Sequence, residues 1–150
     1  MTSKRLFQYG SGPSEKLYSL FHSAANFSSV TFCSFPFFNE LDLLEIRLNI
    51  FDPYIDFFIL SEGTKDFQGS DKILYYEENK HLFKKFNHKI IHNVVEDDNL
   101  NLHAYDRDIF QKNNIKDVLL KHISKDDAVL FGDLDEIPNP DAVEQLENFF

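Results

Sequence analysis

From about residue 30 onward, short apolar runs alternate with stripes of helical period. Residues 30–35 form a β-rich run closed by Pro36, and residues 40–51 then place Leu41, Leu44 and Leu48 at helical spacing, with Leu43, Ile46 and Ile50 widening the face. Asn39 stands at the N-cap position of that helix, and Asp52-Pro53 ends it because proline cannot continue a helix and restricts the residue before it. Residues 54–60 predict a second apolar strand, closed by Ser61-Glu62-Gly63. Residues 72–76 predict a third short β-like run ahead of a polar helix over 77–86, and residues 89–95 a further strand. After an acidic loop at 97–101 comes a long helical pattern over about 103–123. Residues 128–131 predict a buried strand, and a last helix opens with Asn139 as cap and Pro140 at its first position. Strands alternating with helices predict an α/β fold built on a parallel sheet. Residues 1–28 carry Gly10, Gly12, Pro13 and several serines without sustained period, which predicts an irregular leader, with a short helix around 15–22, ahead of one domain over 29–150. The last helix reaches Phe149-Phe150 with neither a terminal glycine nor a basic last turn, so the expectation is a domain cut short.

Composition sharpens this picture. In 150 residues, 43% hydrophobic content supplies a core, and the seventeen phenylalanines fall in the apolar runs, which makes them core residues. The formal charge of −10 argues against nucleic acid, whose binders need clustered Lys and Arg to displace counterions. Cys33 is the single cysteine, so neither an internal disulfide nor a zinc spacing can be built from it; inside an apolar strand it reads as a small buried hydrophobe. No run approaches the ~18 apolar residues of a membrane span, and a soluble, cytoplasmic protein is the expectation. Without a signal peptide, Asn26-Phe27-Ser28 is read as a chance match to the glycosylation pattern. His88 and His92 would stand roughly 13 Å apart on a strand, at ~3.3 Å per residue, too far to share an ion, and are read as structural.

The sharpest chemical signal is Gly132-Asp133-Leu134-Asp135-Glu136-Ile137-Pro138 behind the apolar run 128–131. If the strand's extended conformation continues, Asp133 and Asp135 share a face, giving two hard oxygen donors at the carboxyl end of a strand, where α/β sheets bind ligands. Such a pair suits Mn²⁺ or Mg²⁺ and leaves coordination positions for phosphate oxygens. An acidic turn that merely caps the next helix is the competing reading. A haloacid dehalogenase-like phosphohydrolase presents a similar motif, but on its first strand and with further motifs after it, whereas here little follows Glu136. In the helix over 103–123, Arg107, Gln111 and Asn114 lie on the same side as Val118, Leu119 and His122, so one stripe changes from polar to apolar. Arg107 is then a candidate phosphate partner at the polar end, against the plainer reading of a solvated face.

Four segments in order carry a family resemblance: residues 38–48 (Phe-Asn-Glu-Leu-Asp-Leu-Leu-Glu-Ile-Arg-Leu); Ile59-Leu60-Ser61-Glu62 with Phe67-Gln68-Gly69 and Lys72; Lys89-Ile90-Ile91-His92; and Gly132 to Pro138. The chain resembles glycosyltransferase family 17, the β-1,4-mannosyl-glycoprotein β-1,4-N-acetylglucosaminyltransferases, over about residues 29–150. The resemblance implies a GT-A type, Rossmann-like, mostly parallel sheet flanked by helices, covering the N-terminal, donor-binding half. It implies transfer of N-acetylglucosamine or a related hexose from a UDP-sugar donor to a glycan acceptor, with Mn²⁺ or Mg²⁺ as cofactor. Carried over, Asp133 and Asp135 are the metal pair, with Asp135 the direct ligand and Asp133 nearer the ribose or the metal's waters. Asn39, Glu40 and Glu62 fall where such a fold brings loops to the nucleotide, with a helix-dipole role the alternative for Glu40 and a plain turn carboxylate for Glu62. Where the family usually has Gln-Arg-Asn, this chain has Gln111-Lys112-Asn113, which keeps the charge and loses the guanidinium fork. No catalytic base is assigned. The rival to an active transferase is a truncated, non-catalytic donor-binding remnant.

Overall fold

The computed structural model describes residues 30–97 and 102–145. The expected leader with its short helix lies outside these residues, as do part of the acidic loop and the far end of the last helix. Four strands, β1 (Thr31–Phe37), β2 (Phe57–Gly63), β3 (Ile90–Val95) and β4 (Ala128–Phe131), form one sheet in the order β3-β2-β1-β4, and every neighbouring pair is parallel. Between them run α1 (Leu41–Phe51), α2 (Tyr75–Asn79) with a 3₁₀ turn over Lys80–Phe83, and α3 (Ala104–His122); α4 (Pro140–Glu144) follows β4. This is the expected α/β, Rossmann-like architecture. Its strands are near-continuous apolar runs because helices cover both faces of the sheet.

Side-chain alternation sorts each strand between two cores. Cys33, Phe35 and Phe37 of β1 join Phe58 and Leu60 of β2 under α1 and the 3₁₀ turn, against Leu44, Leu48, Phe51 and Phe83. On the other face Phe32, Phe57, Ile59 and Ile91 pack on Ile115, Val118 and Leu119 of α3. Phe32, Phe35 and Phe58 are wholly buried, and at roughly 1.5–3 kcal/mol per buried side chain they account for much of the sheet's adhesion to its helices. Cys33 is buried as expected, and burial pushes its thiol up from the ordinary value despite the opposing Arg47 guanidinium. The native protein should therefore resist thiol reagents at pH 8, with labelling following the unfolding curve in denaturant; rapid labelling of the folded state would contradict this packing.

The structure corrects several expected boundaries. β1 runs through Pro36 to Phe37, because β4 ends opposite Ser34 and beyond that point β1 has a neighbour on one side only, leaving proline's missing donor without consequence. β2 begins at Phe57 and includes Ser61, Glu62 and Gly63 instead of stopping before them. The run over 72–76 is not a strand: Tyr75 and Tyr76 open α2. Glu40, not Asn39, is the N-cap of α1, and Ile46, expected on its buried face, is half exposed while Arg47 is buried. α3 matches its expected span within a residue, and its inward stripe passes from Arg107 to Val118, Leu119 and His122. β4 is an edge strand among the described residues, with Phe131 43% exposed, so it is less buried than its composition implies.

Candidate functional site

The chain winds from β1 through β2 to β3 in one direction and then returns to place β4 on the far side of β1. The carboxyl ends of β1 and β4 therefore lie side by side where the strand order reverses, the position where open α/β sheets bind ligands. An open pocket of about 300 Å³ lies there. Its walls are Pro36, Phe37, Phe38 and Glu40 from the end of β1 and the loop after it, Leu43 of α1, and Phe67 from the loop after β2. Asp108, Gln111 and Lys112 of α3 and Asp133, Leu134 and Asp135 beyond β4 complete them.

Asp133 and Asp135 do line one pocket, but not by strand alternation. The backbone leaves the extended conformation after Phe131 and turns, with Glu136 N–H donating to the Asp133 carbonyl (3.1 Å) and Ile137 N–H to that of Asp135 (3.0 Å). Leu134 is buried, and the two aspartates flanking it are left towards solvent. The Glu136 carboxylate folds back under the turn and accepts from Asp133 N–H at 2.9 Å, so it braces the loop. A Cβ at Gly132 would stand 2.8 Å from that carboxylate, so glycine leaves the room this brace needs.

Four carboxylates, Glu40, Asp108, Asp133 and Asp135, share the pocket with one ammonium, Lys112. Lys112 Nζ bridges Asp133 Oδ1 at 2.9 Å and Asp108 Oδ2 at 3.1 Å. Partial burial pulls this ammonium down, but the bonds to Asp133 and Asp108 outweigh it and hold Lys112 above the usual lysine value. Its charge is thus retained across neutral pH and is lost only in strong alkali. Asp133 already draws a cation in the form of Lys112. Among the described residues no three metal-ligating side chains converge closely enough to enclose an ion, so the protein would supply only a minority of a hard ion's positions. Two carboxylates of this kind could hold an octahedral divalent cation only with ligand and water oxygens completing its shell.

Of the other expected site residues, only Glu40 lines the pocket; it stands at the N-cap of α1, and its carboxylate accepts from Phe38 N–H (3.1 Å) and Asn39 N–H (3.0 Å), fixing the loop after β1. Asn39 is exposed beside it and is not part of the wall. Glu62 is wholly buried and is not part of the pocket wall; its carboxylate is engaged by the start of α2. Its carboxylate accepts from Tyr75 N–H and Tyr76 N–H (3.2 Å), from Lys72 Nζ (3.2 Å), and lies 3.0 Å from His92 Nε2. Glu62 caps α2 from a distance, and His92 is structural as expected. Arg107 is likewise turned inward: it pairs with Asp97, and its guanidinium lies against Gly69, where a Cβ would approach Nη2 to 2.6 Å and where φ is +88°. This contact gives Phe67-Gln68-Gly69 its glycine, since only glycine both adopts that backbone freely and leaves space for the guanidinium.

Asp108 and the aromatic pair Phe38 and Phe67 have no site role in the sequence reading. Asp108 carries the signal of an acid four residues ahead of Lys112 on one helical face. Phe38 and Phe67 stack on each other at 5.3 Å between centroids and present an aromatic wall, with Phe67 46% exposed. Gln111, legible as part of the polar stripe and of the Gln-Lys-Asn run, donates to the carbonyls of Phe37 (3.2 Å) and Ser61 (2.6 Å) and so ties α3 across the ends of β1 and β2.

Comparison with known proteins gives one match. The model of glycosyltransferase family 17 covers residues 21–149, which takes in every element described above. No curated protein and no solved structure matches.

Proposed function

The chain belongs to glycosyltransferase family 17, whose domain supports transferase activity, and from that premise we infer that the pocket between β1 and β4 receives the diphosphate of a UDP-sugar through a divalent metal, Mn²⁺ or Mg²⁺, for transfer of N-acetylglucosamine or a related hexose to a glycan acceptor. One observation carries this reading: the pocket holds four carboxylates against a single ammonium. A diphosphate entering alone would meet net repulsion, so an anionic donor is favourable there only in company with a cation.

Each part of the wall has a role in this reading. Asp133 and Asp135 hold the metal, and the bound ion would supply Lewis-acid stabilisation of the charge developing on the departing diphosphate. Lys112, already 2.9 Å from Asp133, brings a second positive charge to the same place and can pass from the carboxylate to a phosphate oxygen with little movement. The aromatic wall of Phe38 and Phe67 offers a planar face for the uracil ring; stacking of this kind contributes roughly 1–3 kcal/mol per base. Gln111 keeps the floor between β1 and β2 rigid, which favours a pocket formed in advance of its ligand.

Calorimetry with UDP tests the reading. Binding is expected in the presence of Mn²⁺ and its loss after chelation; equal affinity under both conditions would remove the metal-diphosphate mechanism. Incubation with UDP-N-acetylglucosamine and a glycan acceptor then separates turnover from binding. Release of UDP together with glycosylated acceptor identifies a transferase, and donor binding without release identifies a donor-binding module.

A further inference from the structure

The most deeply buried cation in the described structure, Arg47 of α1, serves no ion pair there; it donates three hydrogen bonds to main-chain oxygens and one to the Cys33 thiol. Its Nη1 donates to the carbonyls of Asp133 (2.7 Å), Leu134 (2.9 Å) and Glu136 (3.1 Å), three oxygens of the one turn that carries the metal pair. The rest of the guanidinium has weak partners: it stands 5.0 Å from the Phe35 ring centroid and 5.8 Å from that of Phe51, Nη2 donates to Cys33 Sγ at 3.7 Å, and Nε finds no acceptor among the described residues. Burying a charge without a counter-ion is expensive, and an apolar side chain of similar volume would serve packing at least as well. The helical period also calls for an aliphatic residue at this position. Stability of the core therefore does not account for the arginine, whereas the geometry of the turn does. With three carbonyls drawn inward to one nitrogen, the backbone between residues 133 and 136 has little freedom to rotate, and the carboxylates of Asp133 and Asp135 are left on the pocket side.

We propose that Arg47 is a positioning residue: by gathering the carbonyls of Asp133, Leu134 and Glu136 it sets the spacing and direction of the two aspartates, and thereby the affinity for the metal nucleotide, without touching either ligand. This rests on the reading of the pocket as a metal-diphosphate site. Groups that orient metal ligands from outside the coordination shell typically change metal affinity by about 10- to 100-fold when replaced. A lysine at position 47 keeps the charge but cannot reproduce the reach and spread of the guanidinium.

The test compares the intact chain with Arg47→Lys and Arg47→Gln, using Mn²⁺ electron paramagnetic resonance with UDP, thermal unfolding, and amide hydrogen exchange. In variants that remain folded, Mn²⁺·UDP affinity is expected to fall about tenfold or more, and the amides of Glu136 and Ile137 to exchange about tenfold faster, while those of β1 and β2 keep their protection. A folded variant that binds as tightly as the original, or whose turn amides are unchanged, overturns the role of Arg47. An original chain that binds no Mn²⁺·UDP overturns instead the reading of the pocket, so the two failures are told apart. If neither variant folds, exchange in the unmodified chain decides: Glu136 and Ile137 amides as protected as the sheet support the anchor, and exchange at the rate of an unrestrained loop excludes it.

Discussion

Asp135→Ala is expected to weaken Mn²⁺-dependent UDP binding by on the order of a hundredfold or more, equivalent to about 2.7 kcal/mol, while leaving the melting temperature nearly unchanged. The contrast follows from where the residue sits. Asp135 is exposed, and its structural contribution is a carbonyl that accepts from Ile137 N–H at 3.0 Å, which alanine retains. Surface substitutions of this kind seldom move stability by more than about 0.5 kcal/mol. Its carboxylate, by contrast, is one of the two that the turn presents together. Asp133→Ala would be a less clean experiment, because it also releases Lys112 from one of its two carboxylates and alters the charge balance of the wall. Asp108→Asn serves as the control: it removes one negative charge from the same pocket without removing either member of the pair, and only a small change in metal dependence is expected. Titration of UDP into each variant with and without Mn²⁺ reads these effects. Retention of metal-dependent affinity in Asp135→Ala would exclude the aspartate pair as the metal site.

The contrast between residues that were legible in the sequence and those that were not has a physical basis. The strands could be recognised because a parallel sheet covered on both faces needs unbroken apolar runs, and the Asn139-Pro140 start of α4 because capping is local chemistry: Asn139 Oδ1 accepts from Asp141 N–H at 3.0 Å. Strand alternation predicts that Asp133 and Asp135 share a face, and both do line one pocket, but through a turn and not an extended strand. A turn held by distant groups does the work, and distant groups leave no periodic trace. Arg47 is the clearest case. Hydrophobic patterning counts an isoleucine as buried, which puts Ile46 on the inward face, yet Ile46 is half exposed while its neighbour Arg47, to which the apolar pattern assigns nothing, is buried. Its partners lie 86 to 89 residues away in the chain, beyond any local rule. Arg107 was misjudged for a similar reason: the pattern identified the buried stripe of α3 correctly, and the contact with Asp97 and Gly69 that occupies the guanidinium depends on loops whose course no periodicity encodes.

Glu62 takes this argument to its largest consequence for stability. Glu62→Ala is expected to destabilise the domain by about 3–5 kcal/mol, since it leaves the Lys72 ammonium, His92 Nε2 and the first two amides of α2 without the acceptor they share in the interior. The Lys72 side chain is only 8% exposed, so water offers poor replacement. For a domain whose whole stability is of the order of 5–15 kcal/mol, and at roughly 2–4 °C per kcal/mol for a chain of this length, the melting temperature should fall by about 10 °C. Glu62→Gln should cost less, because its carbonyl oxygen still accepts one of the bonds, but its amide group turns donors towards donors. The same variants decide between two roles for this residue. If Glu62 only braces α2, protein that remains folded at low temperature binds Mn²⁺·UDP with its affinity intact. If the carboxylate instead meets the nucleotide, as its place at the end of β2 implied from sequence, binding is lost while the fold survives, and the cap described here would have to be abandoned.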